Sequence, residues 1–216
     1  MNIDGSLLTQ CREILCIGIK RLGFELNETQ IQNLLDYLQL LHKWNRAYNL
    51  TAVRDPLQMV ERHLLDSLSV GQHLESNRII DVGTGPGLPG IPLAILYPQK
   101  QFALLDSNGK RTRFLQQVVI ELGLKNVSIH HGRVESHQVP MLYDEVISRA
   151  FASLQDMLTW TDCVCAQGGR FLAMKGQYPK DELAVLPDAF RLVAGHRLTV
   201  PGSDAERHLL IIERAS

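Results

Sequence analysis

The chain has 216 residues, of which 45% are hydrophobic and 21% charged; 22 basic side chains face 23 acidic ones, for a net charge of −1. That length carries one sizeable core with room for a small second region, and no apolar run approaches the roughly 20 residues of a membrane span. The balanced charge excludes a protein that coats nucleic acid by bulk charge but leaves a local basic patch open.

The start, "MNIDGSLLTQCREILC", has no basic segment leading into an apolar run. No signal peptide is expected, and a cytoplasmic location follows. Leu7, Leu8, Cys11, Ile14, Leu15, Ile19 and Leu22 recur at steps of three and four, the stripe of an amphipathic helix that Gly23 stops. A second helix starts at Asn27, with Gln30 three residues on as in a capping box, and carries Ile31, Leu34, Leu35, Leu38, Leu41 and Trp44 on one face. Asp55 followed by Pro56 starts a third.

From Arg78 the period changes. Strands are expected over Ile79–Val82, Phe102–Asp106, Val127–His131, Glu145–Ser148 and Arg170–Met174, with helices between them that include Arg111–Leu122 and Leu154–Ala166. Such alternation gives right-handed βαβ units and a mostly parallel sheet. The stretch "FRLVAGHRLTVPGSDAERHLLIIER" reads instead as an antiparallel hairpin about Pro-Gly-Ser-Asp. The cysteines, Cys11, Cys16, Cys163 and Cys165, lack the paired spacing of a structural zinc site and read as reduced thiols in or near the core. No metal site is expected.

The informative stretch is "IIDVGTGPGLPGIPLAI", residues 79–95. Gly83, Gly85, Gly87 and Gly90 follow a strand and open a helix, the context in which a glycine loop approaches a ligand. Asp106 ends the next strand, where a ribose hydroxyl pair is held in doubly wound folds. With no G-K-[ST], a P-loop ATPase is disfavoured. A dinucleotide such as NAD and S-adenosylmethionine both fit a glycine loop with a ribose-binding acid. The form D-x-G-x-G-x-G from Asp81, the terminal hairpin and the lack of a second mononucleotide unit favour S-adenosylmethionine.

"LHKWNRAYNLTAVRD", "ERHLLDSL", "DVGTGPGLPGIPLAI", "LLDSNGKRTRFL", "VISRAFASL" and "ERHLLII" together resemble the ribosomal RNA small subunit methyltransferase G family, also called glucose-inhibited division protein B, from about Leu41 to the C-terminus. The resemblance implies an α/β fold: a Rossmann-like S-adenosylmethionine-dependent methyltransferase sheet over residues 77–216, with an N-terminal helical extension over 1–76. It implies methylation of a guanine at N7 in 16S ribosomal RNA with S-adenosylmethionine as donor; separately, that RNA is expected within the small subunit or its assembly intermediate, and the protein is expected to be a monomer. The resemblance carries cofactor contacts onto Gly83, Leu88, Val134, Glu135 and Arg149; Gly85, Gly87 and Asp106 join them from the loop and strand-tip reading.

Guanine N7 has a lone pair and no proton to lose, so the reaction needs no general base, and the sequence offers no visible triad. Position and alignment could supply much of the rate. Arg149 is the candidate for a catalytic contact: it could donate to guanine O6 or shape the cofactor pocket, and the resemblance favours the pocket. Phe151 could stack on a base or sit buried. Lys110, Arg111 and Arg113 put three cations into four residues just past Asp106 and are the first candidates for RNA phosphates, ahead of Arg46, Lys175 and Arg207. Two readings from other classes stand beside this one: an NAD(P)-dependent oxidoreductase, and a non-catalytic RNA-binding module on the same fold.

Overall fold

The computed structural model describes residues 3–215. Helix α1 (Gly5–Arg21) is capped by Asp4, and Leu22 ends it ahead of Gly23 at φ +79°. Helix α2 (Glu28–Tyr48) begins with the Asn27–Gln30 capping box, both hydrogen bonds of which are present. Asp55 caps α3 (Pro56–Met59), which widens into a π-helix over Val60–Leu65 and returns as α4 (Asp66–Leu68). The expected third helix is therefore one run with a π segment in its middle.

Strands β1 (Arg78–Val82), β2 (Gln101–Asp106), β3 (Val127–His131), β4 (Tyr143–Ser148), β5 (Cys165–Lys175), β6 (Phe190–Arg197) and β7 (His208–Arg214) form one seven-stranded sheet in the order β3-β2-β1-β4-β5-β7-β6. The first five are parallel; β7 runs antiparallel to both β5 and β6. Helices α5 (Gly90–Leu96), α6 (Gly109–Leu122), α7 (Leu154–Thr161) and α8 (Lys180–Ala184) complete the fold. No described helix is long and apolar enough to cross a membrane.

Three expectations are corrected in detail. The helix drawn to Ala166 ends at Thr161, because β5 begins at Cys165. The turn about Pro-Gly-Ser-Asp lies within a longer connection, residues 198–207, between β6 and β7. Cys11 and Cys165 are buried as expected, but Cys163 is exposed.

The N-terminal helices share a core with one face of the sheet: Cys11, Leu15 and Ile19 of α1 and Leu34, Leu38 and Leu41 of α2 join Ile79, Leu104 and Phe114. A second core on the other face holds Val146, Phe171, Leu154 and Leu158. The sheet is thus covered on both faces, and the carboxyl ends of its parallel strands are where such sheets bind ligands.

Candidate functional site

The glycine loop is built on Asp81. Its Oδ2 accepts from Thr84 Oγ1 at 2.6 Å and from the Gly90 amide at 2.9 Å, tying the end of β1 to the start of α5. A side chain at Gly90 would collide with Leu104, so only glycine lets helix and strand pack this closely. Full burial pushes the Asp81 carboxyl up to about 6, against the pull of the Thr84 and Gly90 hydrogen bonds and of Arg149. Its other oxygen, Oδ1, is buried and unpartnered.

Gly83, Gly85 and Gly87 all have positive φ, at +69°, +62° and +100°. They differ in what lies beyond them. A Cβ at Gly83 would meet Ala150 Cβ at 2.7 Å, and one at Gly87 would meet Ile91 and Leu115, whereas one at Gly85 would enter open space. Gly85 is thus the loop glycine with no side chain or backbone packed where a Cβ would stand. Its amide donates to Asp106 Oδ2 at 2.8 Å, so the loop and the tip of β2 position each other.

A cleft of about 360 Å³ opens over these strand ends. Val82, Gly83, Asp106, Val134, Glu135 and Phe151 line it, so residues from the ends of β1, β2, β3 and β4 converge on one space. The expected cofactor residues Gly83, Asp106, Val134 and Glu135 stand together here. Gly85, Gly87 and Leu88 do not: Gly85 reaches the site only through its amide on Asp106, and the Leu88 side chain is 1% exposed and belongs to the core, its amide donating to Thr84 O. Phe151 stacks edge-on against Trp160 of α7, with ring centroids 5.7 Å apart. Trp160 also lines the cleft and was missed from sequence; the available signal was a large aromatic on the exposed side of a short amphipathic helix.

The basic residues separate into three groups. Arg111 turns into the cleft and bonds Asp106 Oδ2 at 3.3 Å, away from its neighbours. Lys110 and Arg113 are exposed on the first turns of α6, and Arg46 is exposed at the end of α2. Trp44 packs on Phe114 with ring centroids 5.6 Å apart, which brings the end of α2 beside the start of α6. Lys175 is engaged by Glu182 at 3.0 Å and by the Ala152 carbonyl. Arg207 and Arg149 both bond Asp66. His208, beside Arg207, is buried against Tyr178, with Nδ1 3.1 Å from the Gly176 carbonyl, and serves as packing.

Arg149 does not line the main cleft. Its Nη1 donates to Asp66 Oδ2 at 3.0 Å, on the side of Ala150 that faces the N-terminal helices. From there its charge lowers the Asp81 carboxyl and, after burial itself, helps hold His63 down at about 4. His63 is thus neutral, with Nε2 paired to Thr51 Oγ1 at 2.8 Å.

The cleft fits an S-adenosyl nucleoside. Gly83 lines it without a side chain, Asp106 Oδ1, which accepts only from the Asn108 amide, keeps an acceptor direction for a ribose hydroxyl, and Phe151 and Trp160 give an apolar wall. Among the described residues no cluster of side chains suits a metal ion.

Comparison with known proteins agrees with this geometry. The family model described as rRNA small subunit methyltransferase G matches residues 30–210. Proteins of that name from Marinobacter nauticus and Aeromonas hydrophila are 54% and 57% identical to this chain, over 92% and 87% of it and 92% and 88% of their own lengths. In fold, the chain is similar to a ribosomal protein L11 methylase from Lactobacillus delbrueckii subsp. bulgaricus (TM-score 0.55, 17% identity, 77% of this chain and 90% of that one). It is also similar to an S-adenosylmethionine-dependent methyltransferase from Thiobacillus denitrificans in complex with S-adenosyl-L-homocysteine (TM-score 0.52, 11% identity, 70% and 90%). These matches displace the oxidoreductase reading. The sheet is a Rossmann-like methyltransferase sheet, and the chain belongs to the ribosomal RNA small subunit methyltransferase G family.

Proposed function

We propose that this protein transfers a methyl group from S-adenosylmethionine to N7 of a guanine in 16S ribosomal RNA, within the small subunit or its assembly intermediate, as a cytoplasmic monomer. The observation that carries the reading is the convergence of Gly83, Asp106, Val134 and Glu135 on one cleft, with the Gly85 amide held on Asp106, in a chain of this family.

When bound, S-adenosylmethionine supplies a methyl group on a positively charged sulfur. The protein's own part is to bind, orient and exclude water. Asp106 takes the ribose hydroxyls, and the Gly83–Gly85 backbone leaves room for the rest of the donor. Val134 and Glu135 border the base, and Leu88, whose side chain is in the core, offers only backbone. Arg149 acts from the flank of the loop rather than from within the cleft. Guanine N7 carries an in-plane lone pair and no proton, so no side chain needs to remove one. Alignment of the acceptor is the main demand. Lys110, Arg113 and Arg46 form the edge along which RNA phosphates run, and Arg111 belongs to the cleft instead.

The test is incubation with labelled S-adenosylmethionine and small-subunit RNA from a strain lacking the protein, followed by mapping of the modified base. Label at one guanine N7 supports the reading. Tight binding of S-adenosylmethionine without any transfer to RNA or to the subunit would favour a non-catalytic module.

A further inference from the structure

The segment "ERHLLDSL" has no part in the cleft, yet it builds the most connected charged cluster near it. Asp66 stands where the π-helix returns to α4, and it is 3% exposed. π segments inside helices are frequently found at functional sites. Its two oxygens are divided between two arginines. Oδ2 accepts from Arg149 Nη1 at 3.0 Å and Oδ1 accepts from Arg207 Nε at 2.7 Å.

Both arginines stand at the carboxyl edge of the sheet. Arg149 directly follows β4, which ends at Ser148. Arg207 directly precedes β7, whose first residue, His208, pairs with Lys175 at the end of β5. The cluster lies beside the cleft, separated from it by Ala150, which closes on Gly83. Two cations on one carboxylate leave a net positive charge. Among the described residues, Arg149 donates only through Nη1, and Arg207 also donates Nη1 to the Glu206 carbonyl. The Nη2 groups of both remain to be used. Their side chains are 27% and 30% exposed, so solvent and a ligand can reach them. Lys175, the third cation of this edge, is already matched by Glu182.

We infer that Asp66 is a positioning residue that fixes the Arg149 and Arg207 guanidiniums as a pair beside the methyl-donor cleft, where their remaining N–H groups hold the oxygen atoms of the acceptor nucleotide. This rests on the methyl-transfer reading. Guanidinium donors match the O6 carbonyl and the phosphate of that nucleotide and leave N7, an acceptor, free to attack. A flexible arginine would bind the same oxygens loosely; a buried carboxylate holding two of them makes their geometry fixed before RNA arrives.

The test compares the parent, Asp66→Asn and Arg207→Gln in methyl transfer to small-subunit RNA at saturating S-adenosylmethionine. The concentration of folded sites is set by titration with S-adenosylhomocysteine. Asp66→Asn keeps both cations, so the KM for RNA holds within about twofold. The fixed geometry is lost, so kcat per folded site falls by about tenfold or more. Arg207→Gln, at a partly exposed position, lowers kcat to a similar extent. The double variant falls by less than the product of the two, because both changes act through one pair. Parental kcat in either variant overturns the inference. So does a fall in Asp66→Asn that merely follows the count of folded sites, or single effects that multiply. If the parent itself binds S-adenosylhomocysteine but transfers nothing to RNA, it is the underlying reading that fails.

Discussion

Gly85 and Asp106 are one unit: the amide of the first donates to the carboxylate of the second, which lines the cleft. On the proposed reading, removing the carboxylate deprives the ribose of an acceptor. Asp106→Ala is expected to weaken S-adenosylhomocysteine by about 1.5–3 kcal/mol, the scale of a charged hydrogen bond, as calorimetry would measure. Gly85→Val is expected to abolish binding, since its side chain would enter the open space at a φ of +62° that valine does not tolerate. Asp81 makes a different prediction. Its carboxyl is raised to about 6 by burial, so the folded state holds its proton more tightly than the unfolded chain does. The sign follows: this group's penalty is absent below about pH 4, grows as pH rises toward 6, and is complete above. Asp81→Asn, which keeps an oxygen for Thr84 and Gly90, should therefore gain stability relative to the parent at pH 7–8, on the order of 2 kcal/mol. The difference should vanish near pH 4. His63, held down at about 4, contributes in the opposite direction in both proteins, so the difference between two denaturation series isolates Asp81. A constant difference across pH would mean that Asp81 does not titrate in this range.

Among the elements, α2 supports the glycine loop. Tyr37, fully buried, donates its hydroxyl to the Pro86 carbonyl at 2.9 Å and so holds the glycine loop from behind. Gln30 of the same helix donates to the Ile95 and Leu96 carbonyls at the end of α5. Tyr37→Phe leaves the Pro86 carbonyl without its partner. A loss of about 1–3 kcal/mol in stability is expected, with weaker S-adenosylhomocysteine binding and no change in RNA salt dependence. Helix α6 makes the complementary prediction. Phe114, Leu115 and Val118 bury one face while Lys110 and Arg113 stay exposed. Lys110→Ala and Arg113→Ala should spare cofactor affinity and weaken RNA. Each lost phosphate contact should flatten the slope of log K against log salt by about 0.7–0.9. An unchanged slope would make α6 a solvated face. These elements differ in how readable they were. The capping box at Asn27 and Gln30 and the stripe of α2 are local signals, and the structure contains both. Tyr37 falls on the face of that stripe, three residues after Leu34 and four before Leu41, but nothing local marks a hydroxyl that meets a carbonyl 49 residues away. The π segment was invisible because widening by one residue per turn leaves no mark in a pattern of apolar spacing.

At the scale of the molecule, the alternation of strands and helices after Arg78 determined the parallel sheet, and the reversal near the end determined its antiparallel edge. Both are periodicity signals that survive without tertiary information. Strand lengths were less legible: β5 starts at Cys165, five residues before the expected start at Arg170, because its first residues lack a continuous hydrophobic pattern. The loop and the acid at the tip of β2 were legible because a strand-turn-helix context makes glycines meaningful. The sorting of the cations was not. Arg111 in the cleft, Lys175 on Glu182, and Arg149 and Arg207 on Asp66 depend on pairings that only the folded chain creates, at separations of 83 and 141 residues for the two bonds to Asp66.

The absence of a required proton acceptor is the most exposed feature of the account, because it ties the nucleophile to the site that handles it. The decisive measurement is single-turnover methyl transfer to small-subunit RNA from a strain lacking the protein, across about pH 6–9 with both substrates saturating, with the modified base mapped at each pH. The account predicts one methyl group at a single guanine N7 and a rate that shows no ionisation near neutrality. A methyl group on an exocyclic amine or a pyrimidine carbon, or a bell-shaped profile with near-neutral limbs, would contradict it.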